Sequence, residues 1–216
     1  GLDTIEETEG SFSIGAMVTL RQLEEHPGLA AYTHGSVKEA LRHIVGVQLR
    51  NLATVGGSIY SRFGFSDVLT LFLAMDCSVE LYKGGIVSLQ EYAERPYDRD
   101  ILVRLIVKKT DAEYCYQSVR NSQTDIPVLT CAAARLADGS YRVAIGARPL
   151  KAVRFEFAAG KVPVPQLAQT MADEVKQQIV TGSNMRGSAE YRRHLAGVLT
   201  KRAVLELERH TAQEVN

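Results

Sequence analysis

Apolar and polar positions alternate with period two through Phe12, Ile14, Ala16 and Val18, which predicts a strand with one buried face. Thr19 then stands where an N-cap would, with Gln22 three residues on, the spacing of a capping box; the short helix it opens is expected to stop near Pro27-Gly28. Over 36–45 the period changes: Val37, Ala40, Leu41 and Ile44 share one face of a helix. Residues 50–65 carry neither period and read as loop. An apolar helix over 67–76, a strand over 78–82, a Gly84-Gly85 hairpin turn and a partner strand over 87–89 follow, with a helical turn over 89–93. Ile101, Val103, Leu105 and Val107 alternate again along a strand over 100–108.

Near residue 110 the pattern changes. Three strand-like segments, 114–119, 128–136 and 141–145, come in succession, and Asp138-Gly139 marks a hairpin between the last two. Pro149 is expected to end that sheet. Helices are predicted over 163–178 and 188–210; in the second, Tyr191, Leu195, Val198, Leu199 and Leu205 share a face, with Arg192, Arg193, Lys201 and Arg202 elsewhere. No internal repeat or low-complexity tract interrupts this order. The chain therefore reads as two α+β halves.

Charge narrows the function. Among 216 residues, 25 Lys and Arg balance 25 Asp and Glu, so the basic excess of a nucleic-acid binder or a polybasic membrane-surface protein is missing. The most apolar run, 68–75, is far shorter than the roughly 20 residues of a spanning helix, so no membrane insertion is expected. Cys77, Cys115 and Cys131 are too few and too dispersed for a disulfide scaffold, a zinc cage or an iron–sulfur motif, and they suit a reducing, cytoplasmic setting. The five histidines show no ligand spacing, no Ser/His/Asp set is legible, and no carboxylate pair stands out. No catalytic side chain and no metal site are assigned; any reactive group is a cofactor. Because residue 1 is Gly and the first strand reads as the middle of a sheet, the chain is expected to be a fragment or a processed product.

Arg50-Asn51-Leu52-Ala53-Thr54-Val55-Gly56-Gly57-Ser58 is the informative stretch. It is neither a P-loop nor the G-x-G-x-x-G fingerprint. Paired glycines beside Thr and Ser can gather several backbone N–H groups into a concave nest suited to a pyrophosphate, and an ordinary tight turn satisfies the same pattern. Ser66-Asp67 opens the next helix, where capping and contact with ligand hydroxyls are compatible roles.

Together these segments resemble the FAD-binding medium subunit or domain of the molybdenum hydroxylases, the flavoprotein of xanthine dehydrogenase and carbon monoxide dehydrogenase type. The resemblance runs through Ile14-Gly15-Ala16-Met17-Val18-Thr19, Gln48-Leu49-Arg50-Asn51-Leu52-Ala53-Thr54-Val55-Gly56-Gly57-Ser58-Ile59, Ser66-Asp67, Asp100-Ile101-Leu102-Val103 and Met185-Arg186-Gly187-Ser188-Ala189-Glu190-Tyr191-Arg192-Arg193. It implies an α+β fold: a mixed α/β FAD-binding subdomain over 1–109, then a C-terminal domain over 110–216 with a three-stranded antiparallel sheet and a helical bundle. By the same resemblance Ala53, Thr54, Gly56, Gly57 and Ser58 would follow the FAD pyrophosphate. Ser61, Ser66 and Asp67 would meet phosphate or sugar hydroxyls. Ile44, Val45 and Leu49 would line the ring or ribityl channel, and Ile101 and Leu102 would pack on the flavin. Gln117 takes the place where the family often has a lysine facing the flavin, Ser58 that of a usual Asn, and Gly64 that of a common Pro. The family's N-terminal A-G-G-[TSN]-[DE] loop is absent. The implied activity is that of a flavoprotein oxidoreductase component: FAD receives electrons from an iron–sulfur subunit and passes them to an acceptor such as NAD, while a molybdopterin subunit hydroxylates the substrate. Two rival readings are a non-catalytic assembly subunit of the same fold and a binding domain for another diphosphate ligand.

Overall fold

The computed structural model describes residues 1–160 and 162–214; Lys161, Val215 and Asn216, which fall in the expected second domain, lie outside the described residues. In chain order come β1 (Ile5–Glu7), β2 (Ser11–Gly15), α1 (Leu20–Glu25), α2 (Pro27–Tyr32), α3 (Ser36–Leu41), α4 (Val47–Arg50), α5 (Val55–Tyr60) and α6 (Asp67–Leu73). Then follow β3 (Cys77–Leu81), β4 (Gly85–Ser88), α7 (Leu89–Glu94), β5 (Leu102–Lys108), β6 (Ala112–Val119) and β7 (Leu129–Leu136). The chain closes with β8 (Tyr141–Gly146), β9 (Val153–Phe157), α8 (Val164–Gln178) and α9 (Ala189–Glu214). The strands form two antiparallel sheets, ordered β1-β2-β5-β3-β4 and β6-β7-β8-β9, so the expected α+β class holds.

Short-range signals fix the ends of several elements. Thr19 and Gln22 form the reciprocal capping box at the head of α1. Gly85 and Gly139 take positive φ of 66° and 79° at the two hairpin turns, a conformation glycine adopts without the Cβ penalty. α6 is buried at all seven positions, including the polar Asp67 and Thr70, and packs against β7 and β8. The second sheet is buried on both faces. Tyr114, Tyr116, Ala132, Ala134 and Ala144 join a first core built by the first sheet with α1–α3 and α5–α7, whereas Cys115, Cys131, Ala133, Val143 and Ile145 pack under α8 and α9. All three thiols are buried, and burial pushes the Cys131 thiol up to about 12.

Tertiary context redraws other elements. Pro27 begins α2 rather than closing α1, because N1 needs no N–H, and the His26 ring nitrogen caps it, accepting from Leu29 N at 3.2 Å. The helix at Ser36 ends at Leu41, ahead of Val45 with its φ of +49°. A register shift opposite Glu80 and Leu81 brings Leu102 as well as Leu105 inward, so the alternation that starts at Ile101 breaks and Ile101 itself is 62% exposed. Pro149 does not end the sheet: β9 adds a fourth strand beyond it, with Val143 opposite Phe155. On α9 the buried stripe runs through Arg192, Leu195, Ala196, Leu199, Ala203 and Leu207, with Tyr191 exposed. The greatest change is at 50–65, which carries α5 where a loop was expected.

Candidate cofactor site

α5 and α6 both begin at one cavity of about 540 Å³, closed on its other sides by residues 43–54 and by the β6–β7 connection at 120–127. A row of hydroxyls forms one rim. Thr54 Oγ1 accepts from Gly57 N at 3.1 Å, Ser58 Oγ donates to the Thr54 carbonyl at 2.9 Å, and Ser61 Oγ donates to the Gly57 carbonyl at 3.0 Å. Ser66 Oγ donates to the Ser58 carbonyl at 2.8 Å and accepts from Leu69 N, capping α6 while binding it to α5.

Of the two readings of the Gly56-Gly57 pair, the nest of free amides does not form. Gly56 and Gly57 lie in the first turn of α5, without the positive φ a nest requires. Their amides are taken: Val55 N donates to the Val18 carbonyl at 2.9 Å and Gly56 N to the Ala16 carbonyl at 2.8 Å, with Gly57 N held by Thr54. Only Gly57 faces the cavity, where a Cβ would meet nothing nearer than Thr54 Oγ1 at 3.4 Å.

Facing the hydroxyls is an apolar wall from Ile44, Val45, Leu49 and Ala53, joined by Leu52, which is 80% exposed. Phe63 and Phe65 stack on each other with ring centroids 5.1 Å apart and continue that wall. His43 stands at its edge; burial and the neighbouring Arg42 lower its pKa, which favours the neutral imidazole.

The third side is charged. Asp67, the first residue of α6, is buried and pairs with Arg120 from the end of β6, and it accepts a hydrogen bond from Tyr116 Oη at 2.5 Å. Burial holds the Asp67 carboxyl above the usual carboxylate range against the opposing pull of Arg120 and Tyr116. Arg120 also donates to the Asp125 carbonyl at 2.6 Å, and the Asp125 carboxylate pairs with Arg186 at 2.8 Å. That pairing holds the Asp125 carboxyl below its ordinary value.

Ten of the fourteen residues anticipated for a cofactor therefore meet at one cavity: Ile44, Val45, Leu49, Ala53, Thr54, Gly57, Ser58, Ser61, Ser66 and Asp67. Four do not line it. Gly56 is pressed against Ala16, and Leu102 is part of the first core. Ile101 is exposed at the start of β5, where its carbonyl accepts from Tyr82 N. Gln117 points to α9 and donates to Glu206 Oε2 at 2.8 Å, because strand alternation puts it on the Cys115 face and gives the α6 side to Tyr116. The sequence reading missed Arg120, Asp125, Ile126 and Pro127, which come from a connection some 50 residues further on, and the Phe63-Gly64-Phe65 run. That run carried the better signal: two aromatics flanking a glycine in a polar stretch.

A cavity with a hydroxyl rim and an apolar wall, at the head of two helices of an α+β fold, suits a ligand with both polar and apolar parts. Residues 1–110 match the model of the FAD binding domain in molybdopterin dehydrogenase, and residues 114–207 match the CO dehydrogenase flavoprotein C-terminal domain. The chain belongs to this family, the FAD-binding medium subunits of the molybdenum hydroxylases, whose cofactor is FAD. It is 29% identical over 199 residues to the uncharacterized protein YgfM of Escherichia coli K12, covering 92% of this chain and 73% of that one. Over 219 residues it is 28% identical to the putative xanthine dehydrogenase FAD-binding subunit XdhB of the same organism, covering 92% and 74%. Quinoline 2-oxidoreductase from Pseudomonas putida 86 shares the fold, with a TM-score of 0.84 at 22% identity over 97% of this chain and 79% of that chain. Carbon monoxide dehydrogenase from Hydrogenophaga pseudoflava also gives 0.84, at 23% identity over 95% and 78%. Among the described residues no helix is long and apolar enough to cross a membrane.

Proposed function

We propose that this chain is the electron-transferring flavoprotein component of a multi-subunit, xanthine dehydrogenase-like oxidoreductase, with FAD held in the cavity at the head of α5 and α6. The observation that carries the reading is the meeting of Thr54, Ser58, Ser61 and Ser66 with the apolar Ile44, Val45 and Leu49 around one space. Hydroxyls that rotate can accept from or donate to a diphosphate and a sugar, and an apolar wall suits a planar ring. Asp67, engaged by Arg120 and Tyr116, braces the wall between them. FAD bound there supplies one- and two-electron transfer; the surrounding side chains orient it and set the polarity around its ring.

In this reading electrons arrive from an iron–sulfur subunit and leave to an acceptor such as NAD. Substrate hydroxylation takes place on a molybdopterin subunit, and the complex works in the cytoplasm. The division into a FAD-binding domain over 1–109 and a C-terminal flavoprotein domain over 110–216 belongs to the same proposal. The visible spectrum of the chain after incubation with FAD and gel filtration tests it. Flavin bands in stoichiometric amount are expected. The internal pairing of the 55–57 amides favours one rival, an assembly subunit that keeps the fold without flavin, and a colourless chain would decide for it.

A further inference from the structure

Between Ser61 and Phe63, both on the cavity wall, Arg62 adopts a positive φ of 48°, where a chain ordinarily places Gly or Asn. Its side chain turns away from the cavity and is only 3% exposed. The guanidinium carbon lies 4.0 Å from the ring centroid of Tyr92, 5.1 Å from that of Tyr97 and 5.7 Å from that of Tyr60. Nε donates to the Tyr92 carbonyl at 2.9 Å, while both terminal nitrogens are buried without a hydrogen bond; the Asp98 carboxylate stands 3.8 Å away. The cage is tied back to the same turn. Tyr97 Oη donates to the Ser61 carbonyl, and Tyr60 Oη donates to the Asp98 carbonyl at 3.0 Å.

A turn that needed only to reverse direction would use glycine; a buried arginine whose terminal nitrogens make no hydrogen bond and a single long ion pair to Asp98 persists where its side chain does something a glycine cannot. Three aromatic faces replace the missing acceptors, since a desolvated cation is held strongly over aromatic rings. We propose that Arg62 is a positioning residue for the cofactor: clasped by Tyr92, Tyr97 and Tyr60, it sets the 61–65 turn so that the Ser61 hydroxyl and the Phe63–Phe65 stack face FAD in the cavity. The inference rests on reading the cavity as the FAD site. It assigns to Tyr92 and Tyr97, outside that cavity, control over its shape.

The test compares the full chain with Arg62→Gly, which accepts the backbone angle, and Arg62→Lys, which returns a cation to the cage. Amide hydrogen exchange, FAD titration and the visible circular dichroism of bound flavin are read on each. Arg62→Gly is expected to keep slow exchange in α8 and α9, exchange faster at 61–66, bind FAD about tenfold more weakly and alter the flavin dichroism; Arg62→Lys is expected to recover most of each change. Unchanged exchange at 61–66 in Arg62→Gly overturns the proposal, and so does faster exchange there with wild-type FAD affinity and dichroism. A lysine variant no better than glycine overturns the role of the caged cation. A wild-type chain that takes up no FAD overturns the cofactor reading itself and with it the purpose assigned to Arg62, a failure visible before any variant is made.

Discussion

Gly56 lies against Ala16 so closely that a Cβ on it would stand 2.6 Å from the Ala16 carbonyl oxygen and 2.8 Å from the Ala16 Cβ. On its neighbour Gly57, at the cavity, a Cβ would make only an ordinary contact with Thr54 Oγ1 at 3.4 Å. The two glycines therefore serve different ends, one joining α5 to β2 and the other leaving room for a ligand. Gly56→Ala is expected to destabilise the fold by about 1–3 kcal/mol through overpacking, whereas Gly57→Ala is expected to be neutral or to gain up to about 1 kcal/mol from helix propensity. Gly57→Val should fold and bind FAD at least about tenfold more weakly, a loss of about 1.4 kcal/mol. Urea denaturation and FAD titration of the three variants check both halves; wild-type affinity in Gly57→Val removes Gly57 from the site.

Asp67 and Arg120 are both buried, and the pair joins the head of α6 to the end of β6. Removing one partner from such a pair leaves an uncompensated charge and costs about 3–5 kcal/mol, while replacing both is close to neutral. Arg120→Met is expected in that range and Asp67→Asn with Arg120→Met to recover most of it. A double-mutant cycle in denaturant measures the coupling. Additive losses would mean that the two side chains act separately.

Much of the cavity was legible because its residues follow one another. Residues 44–67 supply the hydroxyl rim and the apolar wall, and the Thr19–Gln22 box and the Asp138-Gly139 turn were equally local signals. The conformation of 50–65 was not, because Gly56-Gly57 is a weak helix former and α5 exists through its bonds to Val18 and Ala16, some forty residues earlier. The same limit hid the charged wall: Arg120 reaches Asp67 across 53 positions. Gln117 failed for a different reason, since a one-residue change of register exchanges the two faces of a strand. Pro149 signalled an end to the sheet, and only the pairing of β9 with β8 shows that the chain returns.

The Asp125–Arg186 pair links the cavity rim to the segment before α9 and makes that link sensitive to acid. Arg186 holds the Asp125 carboxyl below its ordinary value of 3.8, so the native state binds fewer protons here than the unfolded chain. The stabilisation is complete above the unfolded value and is lost as pH falls through the lower folded value. Asp125→Asn is expected to remove this contribution and so flatten the fall in stability below about pH 4. Denaturation midpoints measured from acid to neutral pH compare the two; curves of the same shape would show that the pair carries no such linkage.

Arg192 is wholly buried on α9, and its charge is met by neutral acceptors on two loops. Nε donates to the Val128 carbonyl at 2.9 Å, Nη1 to the carbonyls of Gly182 at 2.8 Å and Gly187 at 2.5 Å, and Nη2 to Asn184 Oδ1 at 2.6 Å. The planar fork thus holds 182–187 against Val128, just before β7, and the neighbouring Arg186 can then reach Asp125 on the cavity rim. A lysine offers a point charge without the fork, so Arg192→Lys satisfies at most part of this set. Leaving the buried Val128 carbonyl without its donor and stranding the half-buried Gly182 carbonyl, while the Gly187 carbonyl still accepts from Asn184 N, makes Arg192→Met a loss of about 1–3 kcal/mol, with Arg192→Lys intermediate. Because Arg186 depends on this segment, Arg192→Lys should also weaken the pH dependence carried by Asp125. Urea titrations at neutral and acid pH read both effects, and a lysine variant with wild-type stability at both would show that the loop holds without the fork.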